Sequence, residues 1–199
     1  MDYLTEEQLT RYRDRKVVVV NDNDQELGEV ELIEAHRDGG IKHRAFSLVL
    51  FRRVNEKVEV LLQRRALVKP IFAGIWANTC CYNMAPGEEI LARARSRVKE
   101  ELGVALGNTE LKELYQFSYE AEGENGWWEN ETDHVVVGEC PQSVYADVAG
   151  IKPNPEEVAD YKWMEWEEMK EEMKIDPKIY APWWKMIVKD GRVEKYLGE

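Results

Sequence analysis

Apolar and polar positions change period several times along this chain, and each change marks an element. Lys16-Val17-Val18-Val19-Val20 is a β-branched run that stops at the turn cluster Asn21-Asp22-Asn23-Asp24, which predicts a strand. Residues 28–34 alternate weakly and predict its returning partner. Two further strands are predicted over 45–51 and 58–63, joined by the polar segment 52–57, and a short one over 75–79 leads into the cysteines. Pro86-Gly87 opens the clearest helix, 87–103. Its apolar stripe is Leu91, Ala94, Val98 and Leu102, its opposite face is Glu89, Arg93, Arg97 and Glu101, and Gly103 stops it.

Strands over 111–119 and 132–139 flank a loop holding Trp127-Trp128-Glu129, and 161–166 is the last strand. Helices are expected over 167–174 and 181–189, with Pro182 suited to a first turn. The charged segment 5–14 predicts a short helix with Thr5 as its N-cap. No repeat, low-complexity stretch or linker interrupts this order. The expectation is one α/β (α+β) domain over 1–199, with a mixed central sheet and helices packed on it. Residues 1–15 form a helical extension and 167–189 the terminal helices.

Composition narrows the partners. A chain of 199 residues with 44% hydrophobic and 33% charged positions fits a soluble globular protein. Its formal charge of −12 argues against duplex nucleic acid, which needs a basic surface. No apolar run approaches the roughly 20 residues that span a bilayer, and the acidic start Met1-Asp2-Tyr3-Leu4-Thr5-Glu6-Glu7 lacks the apolar stretch of a signal peptide. A cytoplasmic protein with no membrane partner is expected, and three cysteines, two adjacent, fit reduced thiols. The sequence leaves monomer and homodimer open. Arg64, Arg65, Lys69, Arg93, Arg95 and Arg97 gather locally, so an anionic small molecule can still be held.

The candidate chemistry lies on separate segments. Asn78-Thr79-Cys80-Cys81 offers a thiol, Glu129-Asn130-Glu131 two carboxylates, and His36 and His43 two imidazoles. These are ingredients of a metal-assisted acid–base site. Glu100 and Glu101, with Arg97 one turn back, suit Mg²⁺ held against a diphosphate. The alternative is a solvated acidic turn, at a helix end where the dipole disfavours acids.

The stretch 87–103 resembles a degenerate Nudix box, with Glu88, Glu101 and Gly103 on consensus positions, Ser96-Arg97 where hydrolases carry Arg-Glu, and Tyr82 for the opening glycine. Over roughly 16–188 the pattern is similar to the type 1 isopentenyl-diphosphate isomerases. It comprises His36 and His43, then Arg44-Ala45-Phe46-Ser47, Gln63-Arg64-Arg65, Lys69, Trp76-Ala77-Asn78-Thr79-Cys80-Cys81, Trp128-Glu129-Asn130-Glu131 and Pro182-Trp183.

That resemblance implies a Nudix-type α/β/α sandwich and the interconversion of isopentenyl and dimethylallyl diphosphate. Cys81 and Glu131 would move protons, and the Trp183 and Tyr119 rings would face the carbocation. Arg65, Lys69, Arg97 and, through Mg²⁺, Glu101 would hold the diphosphate. His36, His43, Glu129 and Glu131 would bind a second divalent metal, Mn²⁺ or Zn²⁺. Two positions depart from the family: Asn83 stands where a third histidine ligand is expected, and Leu32 where some members have a diphosphate-binding lysine. His134 matches no ligand and reads as a surface or strand residue, Cys80 and Cys140 as buried hydrophobes. A Nudix hydrolase of a prenyl or nucleoside diphosphate, or a diphosphate- and metal-binding module without turnover, are the alternatives.

Overall fold

The computed structural model describes residue 5, residue 10 and the spans 12–142 and 150–198. The helix expected over 5–14 therefore lies mostly outside the described residues. The order is β1 (Lys16–Val20), β2 (Glu26–Glu31), α1 (Leu32–Ala35), β3 (His43–Val54), β4 (Lys57–Arg65), β5 (Trp76–Ala77) and β6 (Cys80–Asn83). There follow α2 (Ile90–Leu102), β7 (Leu111–Glu122), β8 (Trp128–Glu139), β9 (Val158–Glu165), α3 (Trp166–Ile175), α4 (Pro182–Asp190) and α5 (Arg192–Leu197).

All the described strands join one mixed sheet centred on β3. That strand runs parallel to β8 from His43 opposite Glu131 to Phe51 opposite Glu139, and antiparallel to β6 and β4. β7 completes one side by pairing with β8, and β9 the other by pairing with β4. Being covered on both faces, β3 reads Ala45-Phe46 and Leu48-Val49-Leu50-Phe51, a nearly continuous apolar run with Ser47 as the exception. Alternation sends Phe46, Leu48 and Leu50 to a core under α2, where Ala94, Val98 and Leu102 pack. Val49 and Phe51 go to a second core built with Trp166, Met169, Trp183, Trp184 and Ile187 from α3 and α4. Each such large apolar side chain contributes about 1.5–3 kcal/mol on burial, so the two cores fix β3 firmly between the helix layers.

Several element boundaries shift. The second strand ends at Glu31 and Leu32 starts a one-turn helix, because Leu32 and Ala35 bury on one helical side. Asn55 and Glu56, both at positive φ, close β3 to β4 in two residues, so the expected loop 52–57 is mostly strand. The cysteines are not in a loop: Cys80–Asn83 is itself a strand on β3. α2 starts at Ile90 and ends at Gly103, whose left-handed backbone donates to the Lys99 carbonyl. A Cβ there would press on the Lys152 main chain at 3.1 Å. Leu91 of the expected apolar stripe is exposed, whereas Arg97 and Glu101 on the opposite face are buried.

Candidate active site

Strand alternation assembles the site. On β8, Glu129, Glu131 and Asp133 point to one face; on β3, His43 and Ser47 do; on β6, Cys81 and Asn83 do. Register then brings His43 beside Glu131, Ser47 beside Cys81, and Tyr119 of β7 beside Glu131. His36 arrives as the residue capping α1. Trp183 comes from the first turn of α4, where Pro182 costs nothing because first-turn amides lack helical partners. All of these functional groups except His43, Ser47 and Asp133 border an open cleft of about 710 Å³, its solvent-open mouth included.

The four predicted ligands of the second metal converge: one donor atom from each of His36, His43, Glu129 and Glu131 lies within 4.8 Å of the others, all buried. His36 Nδ1 lies 2.7 Å from the Leu32 carbonyl and His43 Nδ1 2.7 Å from that of Ile41. A carbonyl can only accept, so both Nδ1 atoms carry the hydrogen and both Nε2 lone pairs face the carboxylates. His43 Nε2 and Glu129 Oε2 are buried without a hydrogen bond. An open buried nitrogen on one imidazole and an open buried oxygen on one carboxylate, within a set of two imidazoles and two carboxylates, fit a divalent transition metal. Burial opposes ionisation of Glu129, but His36 Nε2, 3.1 Å away, holds its carboxyl below the usual range whenever that nitrogen carries a proton in place of its lone pair. Glu131 goes the other way, raised by burial and then by Glu129. Asn83 reaches the same cluster, its Nδ2 donating to His36 Nε2 at 2.9 Å.

Cys81 lines the cleft near this cluster. Its thiol donates to Asn78 Oδ1 at 3.2 Å and lies 3.4 Å from Ser47 Oγ, which donates to Asp133 Oδ2 at 2.7 Å. Burial, and then the Asp133 carboxyl, push the thiol far above its ordinary pKa, so it is neutral at physiological pH. Trp183 Nε1 donates to the same Asn78 oxygen at 2.9 Å, and Asn78 Nδ2 is fixed by the Leu48 and Cys80 carbonyls. Tyr119 donates to Glu131 Oε2 at 2.6 Å, and its ring stands 6.3 Å from that of Trp183. Tyr119 is therefore both core aromatic and a partner of the candidate base.

At the cationic end, Arg65, Lys69 and Arg97 line the same cleft. Arg65 donates to the Ile71 and Phe72 carbonyls and forms no ion pair among the described residues. Lys69 pairs with Glu157, and Arg97 with Glu157 at 2.7 Å and Glu101 at 2.6 Å. Gln63 donates to the other Glu101 oxygen at 3.0 Å. This explains why Arg97 and Glu101 can be buried: each meets an opposite charge. The expected Glu100–Glu101 pair is not formed, since Glu100 turns outward to Arg93 at 2.6 Å. Glu101 is also set apart from the four-residue cluster and engaged by Arg97. Arg64 and Arg95 bind main-chain carbonyls elsewhere.

His134 is a strand residue but not a surface one; it is buried between Glu113 at 2.8 Å and Asp24 at 3.0 Å. Cys80 and Cys140 are buried as expected. Among the described residues no helix is long and apolar enough to cross a membrane. Asp133 and Glu157 are the site residues not anticipated. Asp133 extends the Glu129/Glu131 alternation by one step and was legible that way, whereas nothing local marks Glu157.

A NUDIX domain model matches residues 41–184. Curated isopentenyl-diphosphate Delta-isomerases are similar over nearly the whole chain. The Nocardia farcinica protein is 40% identical over 84% of this chain and 89% of its own length. The Halorhodospira halophila protein is 36% identical over 89% and 95%. Among solved structures, the Deinococcus radiodurans protein DR0079 aligns with a TM-score of 0.62 at 15% identity, covering 81% of this chain and 90% of that one. The Nudix hydrolase RenU from M. smegmatis aligns at 0.54 and 17%, covering 90% and 94%. These structural likenesses bear on the fold, which they share with this chain. The chain belongs to the NUDIX-domain proteins and, within them, to the isopentenyl-diphosphate Delta-isomerase family.

Proposed function

We propose that this protein interconverts isopentenyl diphosphate and dimethylallyl diphosphate, with the diphosphate held by Arg65, Lys69 and Arg97 and the alkene lying between Cys81 and Glu131. The observation that carries this reading is the pairing of a half-buried neutral thiol with a buried carboxylate–phenol pair in one cleft that is cationic at one end. Shifting the double bond adds a proton at the terminal alkene carbon and removes one from the carbon on the other side of the cationic centre, so two groups must address the substrate. One of Cys81 and Glu131 delivers its proton and the other takes one; the reverse reaction exchanges the roles. Asn78 orients the S–H bond and Tyr119 orients the Glu131 carboxylate. The buried Trp183 ring excludes water and turns its π-face to a developing tertiary cation.

A divalent metal bound by His36, His43, Glu129 and Glu131, with Asn83 beside them, would supply positive charge that fixes the Glu131 carboxylate. Mn²⁺ and Zn²⁺ both suit that donor set. On the diphosphate side, Mg²⁺ takes one or two carboxylates plus substrate phosphates, and Glu101 is the carboxylate available once phosphates compete for Arg97. The departure at Ser96-Arg97 works against diphosphate hydrolysis. A guanidinium paired with Glu157 and Glu101 occupies the position where hydrolases carry an acid.

The test is product analysis after incubation with isopentenyl diphosphate, Mg²⁺ and either Mn²⁺ or Zn²⁺. Dimethylallyl diphosphate is expected. Cys81→Ala and Glu131→Gln should each abolish its formation while inorganic diphosphate still binds. Release of phosphate or of a monophosphate, surviving Cys81→Ala, would replace this reading with a hydrolase.

A further inference from the structure

Leu32, where some isomerases have a diphosphate-binding lysine, and Tyr82, which stands for the opening glycine of the Nudix box, meet at Arg15. Arg15 precedes β1, and its carbonyl accepts the Leu32 amide at 2.8 Å. Arg15, Leu32 and Tyr82 all line the catalytic cleft. The Arg15 guanidinium lies 5.1 Å from the centre of the Tyr82 ring, and those of Arg93 and Arg97 lie 4.1 and 5.4 Å from it. Tyr82 thus seats three arginines around one ring, an arrangement a glycine at 82 could not provide.

The charges of these arginines are not equally available. Arg97 is paired with Glu101 and Glu157, and Arg93 with Glu88 and Glu100. Arg15 forms no ion pair among the described residues, although it is only half-buried and could reach solvent. Its field still extends to Glu157, where burial, Lys69 and Arg97 act more strongly. Arg15 is therefore an unneutralised cation at the end of the cleft that carries Lys69 and Arg97. The neighbouring position that could have supplied a cation, residue 32, is occupied by a leucine.

We propose that Arg15, held against the Tyr82 ring and beside Leu32, is a diphosphate-binding residue of this protein and supplies the positive charge that position 32 lacks. The assignment rests on the isomerase reading for the substrate but not for the anion: a planar guanidinium offers paired N–H donors to phosphate oxygens whatever the organic group. Because it acts on the non-reacting end of the substrate, Arg15 contributes to binding and not to proton movement.

The experiment measures binding of inorganic diphosphate by calorimetry, in the presence of Mg²⁺, together with KM and kcat for isopentenyl diphosphate. Arg15→Gln should weaken inorganic diphosphate and raise KM, each by about tenfold, with kcat nearly unchanged. Arg15→Lys should recover part of the loss. Leu32→Lys in the Arg15→Gln background should recover most of it, which a purely structural defect at Arg15 would not allow. Unchanged diphosphate affinity in Arg15→Gln, or a loss that Leu32→Lys fails to restore, overturns the assignment. If the wild type does not turn over isopentenyl diphosphate, the isomerase reading fails, while the inorganic diphosphate measurement still decides the role of Arg15.

Discussion

Asn83 Nδ2 donates a 2.9 Å hydrogen bond to Nε2 of His36, the ring nitrogen left open because Nδ1 is spent on the Leu32 carbonyl. An amide therefore sits at the ligand atom of the candidate metal centre. Rotation about its terminal bond presents Oδ1 at the same point.

The first prediction follows from that contact. Imidazole is a stronger ligand than an amide oxygen for Mn²⁺ or Zn²⁺. Asn83→His should tighten metal binding by about tenfold, read by calorimetry on chelator-treated protein. Asn83→Ala should leave it equal or weaker. Equal affinities in all three proteins would move position 83 out of the centre.

Burial of Cys81 gives a second expectation. Its thiol pKa is raised by burial and by Asp133, with Ser47 and Asn78 acting in the opposite sense. The thiolate is the reactive form, so iodoacetamide should label Cys81 of the folded protein at pH 8 at least tenfold more slowly than a free cysteine, as followed by mass spectrometry. Unfolding in denaturant should abolish the difference. Rapid labelling at pH 7 would mean that the resting group is a thiolate.

Much of the site was legible because β-strand alternation is a local rule. Spacing alone puts Glu129 and Glu131, or His43 and Ser47, on one face once they lie in strands, and the apolar stripe Ala94, Val98 and Leu102 placed α2. But Trp128 and Glu129, expected in a loop, open β8, and β3 begins at His43, two residues before the expected strand. What escaped depends on contacts between distant segments. Glu157 binds Lys69 and Arg97 across long sequence separations, so the ion pairs that allow Arg97 and Glu101 to be buried could not be read from the helix alone. His134 looked superficial for the same reason, since Asp24 reaches it from the β1–β2 turn. The cysteine strand was missed because it is four residues long and Tyr82-Asn83 carries no apolar alternation.

Asp133 provides a test through stability. Burial, and then Glu131, hold its carboxyl pKa well above the ordinary value. In the unfolded chain it ionises near pH 3.9. A raised folded pKa contributes stability that is complete below the unfolded pKa and is lost as pH rises through the folded one. Asp133→Asn keeps an acceptor for Ser47 but cannot ionise. In metal-free protein the variant should gain stability relative to wild type as pH rises from 4 to 8, seen as a widening Tm difference. A Tm difference that is constant with pH would mean that Asp133 titrates normally in the folded state.

Trp183 separates ring from hydrogen bond. Its indole N–H and the Cys81 thiol both donate to Asn78 Oδ1, at 2.9 and 3.2 Å, and the ring is 2% exposed. Trp183→Phe keeps an aromatic face and removes one of the two donors; Trp183→Leu removes the face as well. The carbocation exists only after the first proton has been added, so a π-face that stabilises it lowers the barrier without tightening the ground state. A desolvated cation–π contact of about 2 kcal/mol corresponds to about 30-fold in rate. Trp183→Leu should therefore lose about that factor in kcat, with KM and inorganic diphosphate affinity nearly unchanged, and Trp183→Phe should retain most of the rate. If Phe loses as much as Leu, the indole hydrogen bond to Asn78, and through it the aim of the Cys81 thiol, is the contribution that matters. If KM rises with kcat constant, the ring is a binding surface for the alkene and not a stabiliser of the cation.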